Sequence, residues 1–202
     1  GNLVPCVRSN ETNKKKKIEN GDLIIVLGGD NYRIGMGGAA VSSTETGKYS
    51  SGIELNAVQR SNPEMQKRVA NVIRSIVESE NNFIKSIHDH GAGGHLNCIS
   101  ELVEDVGGVL NIDDLPIGDI TLSSKEIIGN ESQERMGLVI SEKDFNKLKE
   151  ICDRERTPIY KVGKVIDNGR FLVKSNSKNE TAIDLELADF FGNSPKTILK
   201  DT

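Results

Sequence analysis

The chain has 202 residues, 36% hydrophobic and 28% charged, so it can bury one large core or two small ones under a well-solvated surface. Its formal net charge of −4 argues against a sequence-independent hold on nucleic acid, whose phosphates reward basic patches. No apolar run reaches the length of a membrane span, and three scattered cysteines (Cys6, Cys98, Cys152) without a CxxC pair fit a reduced, cytoplasmic setting.

Residues 1–20 are polar and rich in Asn and Lys, and read as a lead-in loop before a domain over 21–202. The basic run Lys14–Lys17 reads as solvated loop. Asp22–Leu27 is a β-branched apolar run closed by Gly28-Gly29, which predicts a buried strand. Residues 28–58 are rich in Gly and Ser without helical period and predict a long loop region. Asn62-Pro63-Glu64 then opens a helix: a good N-cap, a proline suited to the first turn, and a carboxylate at the positive helix end. Met65, Val69, Val72, Ile73, Ile76 and Val77 give it one apolar stripe.

Phe83–His88 predicts a second strand, stopped by the glycines at 91–94. Leu96, Ile99, Leu102 and Val103 mark the next helix, ended by Gly107-Gly108. Ser123 and Glu126 have capping-box spacing. Met136–Ile140 reads as a strand, and Phe145, Leu148, Ile151 and Cys152 as a helix face. Tyr160–Ile166 and Phe171–Lys174 flank Asp167-Asn168-Gly169, a hairpin signal. The mixture predicts an α+β domain with a mixed or mainly antiparallel sheet and helices packed on one face.

Three segments could carry chemistry. In Arg33-Ile-Gly35-Met-Gly37-Gly38-Ala-Ala-Val-Ser42-Ser43, glycines leave backbone N–H groups open to an anion, with Ser42, Ser43 and Arg33 as further donors. A phosphate cradle and a tight turn between strands both fit this composition. Gly35, Gly37 and Ala40 match G-x-G-x-x-A, but the glycines do not follow directly on the strand, which argues against a dinucleotide fingerprint. His88-Asp89-His90-Gly91-Ala92-Gly93-Gly94-His95 sits at a strand-to-helix junction. There Gly91, Gly93 and Gly94 could present N–H groups to phosphate, and Asp89 could hold Mg²⁺ or simply cap the turn. The three histidines in this stretch lack the cysteine partners of a common zinc set and read as ordinary polar groups. Asn130-Glu-Ser-Gln-Glu-Arg135 abuts a strand and predicts either a cleft loop at a sheet edge or a solvated one, with Asn56-Ala-Val-Gln59-Arg60 a weaker case.

In order, these segments resemble the large form of phosphoribosylformylglycinamidine synthase. The strings that carry the resemblance are GDLIIVLGG (21–29), RIGMGGAAVSS (33–43), NAVQRSNPEM (56–65), IHDHGAGGHLN (87–97), ELVEDVGG (101–108), GNESQERMGLVI (129–140) and DRERTPIYKVG (153–163). The resemblance implies the C-terminal half of an aminoimidazole-ribotide-synthase-like unit. It implies a reaction that converts formylglycinamide ribonucleotide, ATP and glutamine to the amidine, in which Gln59, Glu131, Ser132 and Gln133 meet the nucleotide substrate and Asp89 binds Mg²⁺. It further implies that the general base, the main ATP ligands and the glutaminase cysteine lie in segments outside this chain, the N-terminal half and a glutaminase domain. The chain would then hold half of an active site and be inactive alone. An apolar face that the missing half would cover is expected to drive dimerisation. The other reading the resemblance implies is a structural nucleotide-binding module of the same fold.

Overall fold

The structure, a computed structural model, describes residues 16–34, 37, 38, 41, 44, 45 and 47–192. Among these residues seven strands form one sheet: β1 (Leu23–Gly28), β2 (Ile84–His90), β3 (Gly108–Asn111), β4 (Ser132–Ile140), β5 (Ile159–Val165), β6 (Arg170–Ser175) and β7 (Glu180–Glu186). The order across the sheet is β2-β4-β1-β5-β3-β6-β7. Every pairing is antiparallel except β3 with β6, so the sheet is mixed and the class is α+β. Six α-helices with both ends among the described residues accompany it: α1 (Ser51–Leu55), α2 (Pro63–Val77), α3 (Gly94–Leu102), α4 (Ser124–Ile128), α5 (Phe145–Glu155) and α6 (Leu187–Phe191).

The predicted local signals form as their chemistry requires. Asn62 caps α2 by accepting from the Met65 amide at 2.9 Å, with Pro63 in the first turn, and Val69, Val72, Ile73, Ile76 and Val77 are buried. Ser123 and Glu126 close both bonds of the capping box of α4.

All six residues of β1 are buried. The strand lies between β4 and β5, and side chains alternate across it. Leu23, Ile25 and Leu27 pack with α2 and α5, while Ile24 and Val26 pack with the α3 side, in two separate cores. The helices therefore flank both faces, where the sequence reading put them on one. The uninterrupted LIIVL run is the physical sign of this, because a strand with one wet face alternates with polar residues.

Three further expectations change. β5 and β6 do not pair as a hairpin, because β3 runs between them, antiparallel to β5 and parallel to β6. The Asp167-Asn168-Gly169 turn instead wraps the start of β3, with the amides of Asn168 and Gly169 donating to the Val106 carbonyl at 3.1 and 2.9 Å. β4 begins at Ser132 rather than Met136, so most of the polar segment is strand, and it lies inside the sheet between β2 and β1 rather than at an edge. Within 28–58, the structure adds the short helix α1 and an isolated bridge from Asn31 to Ile117, and just beyond it a second bridge joins Gln59 to Ser132.

Candidate functional site

The end of the sheet where β1 and β2 finish and β4 begins gathers the predicted residues. His90 is the register partner of Ser132, which sets the Asp89–Gly94 turn beside the Glu131–Gln133 segment. The Gly93 amide donates to Glu131 Oε1 at 3.3 Å. Gln59 runs alongside Ser132: its amide donates to the Glu131 carbonyl and its carbonyl accepts from the Gln133 amide, both at 2.9 Å. Gly38 approaches from the other side. A Cβ there would lie 2.0 Å from Glu131 Oε2 and 2.3 Å from Val58, so only glycine fits against that carboxylate.

Asp89 is exposed, and its Oδ1 accepts from the Gly91 amide at 2.8 Å, which folds the turn over the carboxylate. Gly93 (φ +77) and Gly94 (φ +59) take left-handed conformations that lead into α3 without a side-chain cap. Gln133 is exposed, whereas Glu131 and Ser132 are buried. The Ser132 hydroxyl accepts from the Glu134 amide at 3.1 Å. Gln59, which the resemblance aims at the nucleotide, is buried and its amide is engaged within the fold. Its Nε2 donates to the Asp30 carbonyl (2.8 Å) and to Glu134 Oε2 (3.1 Å), and its Oε1 accepts from the Tyr32 amide (3.1 Å).

Arg33 turns away from the glycines and pairs with Asp119 and Glu126, also donating to Thr121. Gly37 is half-buried with open space where a Cβ would sit. Gly35, Ser42 and Ser43 lie outside the described residues.

Under this surface lies a polar network that the sequence reading did not foresee. Glu134 is buried, accepts from the Asn62 amide at 2.6 Å, and so supplies the anion at the start of α2 while holding Gln59. Leaving the buried Gln59 amide unpaired would cost about 1–3 kcal/mol, a loss that the Glu134 carboxylate offsets. On the other face of β4, Arg135 donates to Asn31, Asn130 and His95, and His95 contacts His90 at 2.9 Å. Burial first, then the Arg135 charge, hold both histidines well below the usual imidazole value. Burial pulls Arg135 itself down to about 9, so it is a cation at neutral pH. Read as a loop, the Glu134-Arg135 pair hid its role. Strand alternation through Gly137 to Ile140 was the signal that could have revealed it.

A model of the AIR synthase related protein, C-terminal domain, matches residues 19–175. The chain belongs to this family. As an AIR-synthase-related domain it is 41% identical over 184 residues to phosphoribosylformylglycinamidine synthase of Schizosaccharomyces pombe, covering 90% of this chain and 14% of that protein. It is 41% identical over 186 residues to the Saccharomyces cerevisiae enzyme of the same name, covering 91% of this chain and again 14% of the relative. Among solved structures it is similar to Thermotoga maritima PurL complexed with FGAR, with a TM-score of 0.76 and 26% identity over 93% of this chain and 30% of that one. The domain thus spans about one seventh of the curated relatives it matches.

Proposed function

We propose that this domain supplies substrate and metal contacts to a phosphoribosylformylglycinamidine synthase, the ligase that makes the amidine from formylglycinamide ribonucleotide, ATP and glutamine. The observation that carries the reading is the convergence of Asp89, Gly93, Gln59 and Glu131–Gln133 on one end of the sheet. Identity to synthases over nine tenths of the chain, and likeness to a protein solved with FGAR, support it.

In this reading the ligand-facing groups are Asp89, Gln133 and the backbone of the Gly91–Gly94 turn. Gln59, Ser132 and Glu134 form the frame behind them. The left-handed glycines curve the turn, and since the Gly91, Gly93 and Gly94 amides already donate to Asp89 Oδ1, Glu131 Oε1 and the Gly91 carbonyl, a phosphate would take over those donors as it binds. The exposed Gln133 amide offers both a donor and an acceptor to the formylglycinamide group.

Mg²⁺ suits this site as a shared ion. Among the described residues no group of three or more His, Cys, Asp or Glu side chains could enclose a metal. Asp89 alone gives a hard, exposed carboxylate, and Mg²⁺ commonly takes one or two carboxylates with the rest of its shell from water and phosphate. Bound there, it would neutralise phosphate charge as the formyl amide oxygen is activated by ATP. The main ATP contacts and the ammonia-releasing glutaminase belong, in this reading, to other parts of the synthase polypeptide, in the cytoplasm.

The test uses the full-length synthase. Asp89→Asn and Gln133→Ala are each expected to lower synthase turnover roughly tenfold or more, since each removes a contact to a charged or polar reacting partner. Glutaminase activity measured in parallel should persist. Parental synthase turnover in both variants would overturn the assignment. Calorimetry that finds ADP binding without formylglycinamide ribonucleotide binding would point instead to a structural nucleotide module.

A further inference from the structure

The Arg135 side chain is only 1% exposed and, among the described residues, touches no carboxylate. Its Nη1 donates to Asn31 Oδ1 and His95 Nε2, and its Nη2 to the Asn130 carbonyl (3.0 Å) and Asn130 Oδ1. These acceptors belong to three different segments. Asn31 follows β1, His95 lies in the first turn of α3, and Asn130 immediately precedes Glu131. Asn31 and Asn130 carry the tie onward, donating to the carbonyls of Pro116 (2.6 Å) and Tyr32 (2.8 Å).

A cation buried against neutral acceptors gains little net stability, because desolvation offsets its attraction. What the guanidinium provides is geometry: a rigid planar fork whose donors keep fixed angles, which an ammonium on a flexible stem cannot copy. The fork sets the spacing between the Gly93-Gly94 turn, one residue before His95, and Glu131, one residue after Asn130. Those two segments meet in the bond from Gly93 to Glu131.

We propose that Arg135 is a positioning residue: by clamping Asn31, His95 and Asn130 it holds the glycine turn and the Glu131–Gln133 segment at the spacing needed to grip one phosphorylated ribonucleotide together. The proposal rests on the functional reading above.

In the full-length synthase, Arg135→Lys keeps a basic nitrogen donor and loses the fork. The KM for formylglycinamide ribonucleotide is expected to rise roughly tenfold or more, with the KM for glutamine unchanged. Amide exchange should quicken at Gly91–Asn97 and Asn130–Gln133 in the same folded variant. A folded Arg135→Lys enzyme whose ribonucleotide KM stays within about twofold of the parent overturns the proposal, whether or not its melting temperature falls. If that variant does not fold, the same measurement on His95→Gln, which changes one of the fork's acceptors together with its bond to His90, decides on the same criterion. The site variants separate the two ideas. Asp89→Asn and Gln133→Ala both silent sink the functional reading, whereas an impaired Gln133→Ala beside a silent Arg135→Lys sinks only the positioning role.

Discussion

His90 Nε2 and His95 Nδ1 lie 2.9 Å apart with the rings at 81°, both sealed from solvent. Arg135 Nη1 donates to His95 Nε2, so the donors assign the His95 proton to Nδ1, from where it reaches His90 Nε2. His90 Nδ1 then carries the remaining proton, without a partner among the described residues. Protonating either ring would bury a second cation beside Arg135, which agrees with the depressed values of both. The linkage has a definite sign. Below the unfolded imidazole value near 6.5 the unfolded chain takes up protons that the folded chain refuses, so stability is full above about pH 6.5 and is lost as pH falls. The expected slope is on the order of 1 kcal/mol per pH unit for each histidine. Urea midpoints measured from pH 7.5 to 5 should fall, and His95→Gln should flatten the fall. A midpoint that is constant over that window in the parent chain would contradict the burial argument. The sequence showed three histidines in one stretch, but not that two are sealed. The groups that seal them, Arg135 and Asn31, stand 40 and 64 residues from His95.

Helix α3 enters the site through Gly94, and the entry is as tight as the histidine pair. At φ +59, a Cβ on Gly94 would meet Gly129 at 2.6 Å and Asn130 at 2.7 Å, both backbone atoms that cannot swing aside. Gly94→Ala is therefore expected to cost about 2 kcal/mol or more, from strain and from displacing the link between α4 and β4. Because Asn130 leads into Glu131, ribonucleotide binding should weaken in step. Denaturant unfolding and calorimetry check both halves, and a Gly94→Ala chain with parental stability would show that this contact is looser than described. At this scale the legible features were those with local causes. The Asn62-Pro63 start of α2 and the Ser123–Glu126 box each act within four residues, and both form. The β5–β6 hairpin failed for the opposite reason. Asn168-Gly169 does reverse the chain, but β3, some sixty residues upstream, pairs more favourably in the gap than the two strands pair with each other. β4 was cut short because buried polar residues imitate a loop. Their acceptors and donors, Gln59, Asn62 and Asn31, come from distant segments that no local pattern reveals.

Across the whole molecule the sheet is unequal, and the candidate site stands on its better-covered half. β1 and β4 are sandwiched between the α2–α5 core and the α3 core, β2 adds Ile84 to the α2–α5 core, and β6 contributes Phe171 and Val173 to the α3-side core only. β7, the edge strand opposite β2, is mostly exposed and, among the described residues, pairs only with β6. Segments with few buried contacts open locally at little cost, whereas strands inside a double-sided core exchange only when the molecule unfolds. Native-state hydrogen exchange should therefore rank β1 and β4 slowest, near the global unfolding free energy, with β7 and α6 several kcal/mol less protected, on the order of the span seen between cores and frayed edges. The ranking bears on function, because a site built on strands keeps its geometry better than one built on loops. Asp89 is the next-to-last residue of β2, which pairs with β4, and Ser132 starts β4, so the turns of the candidate site spring from the better-covered half. Exchange at β7 as slow as at β1 would mean that protection does not follow the two-core layout. The rigidity assigned to the site would then need a source other than the helices that cover β1 and β4.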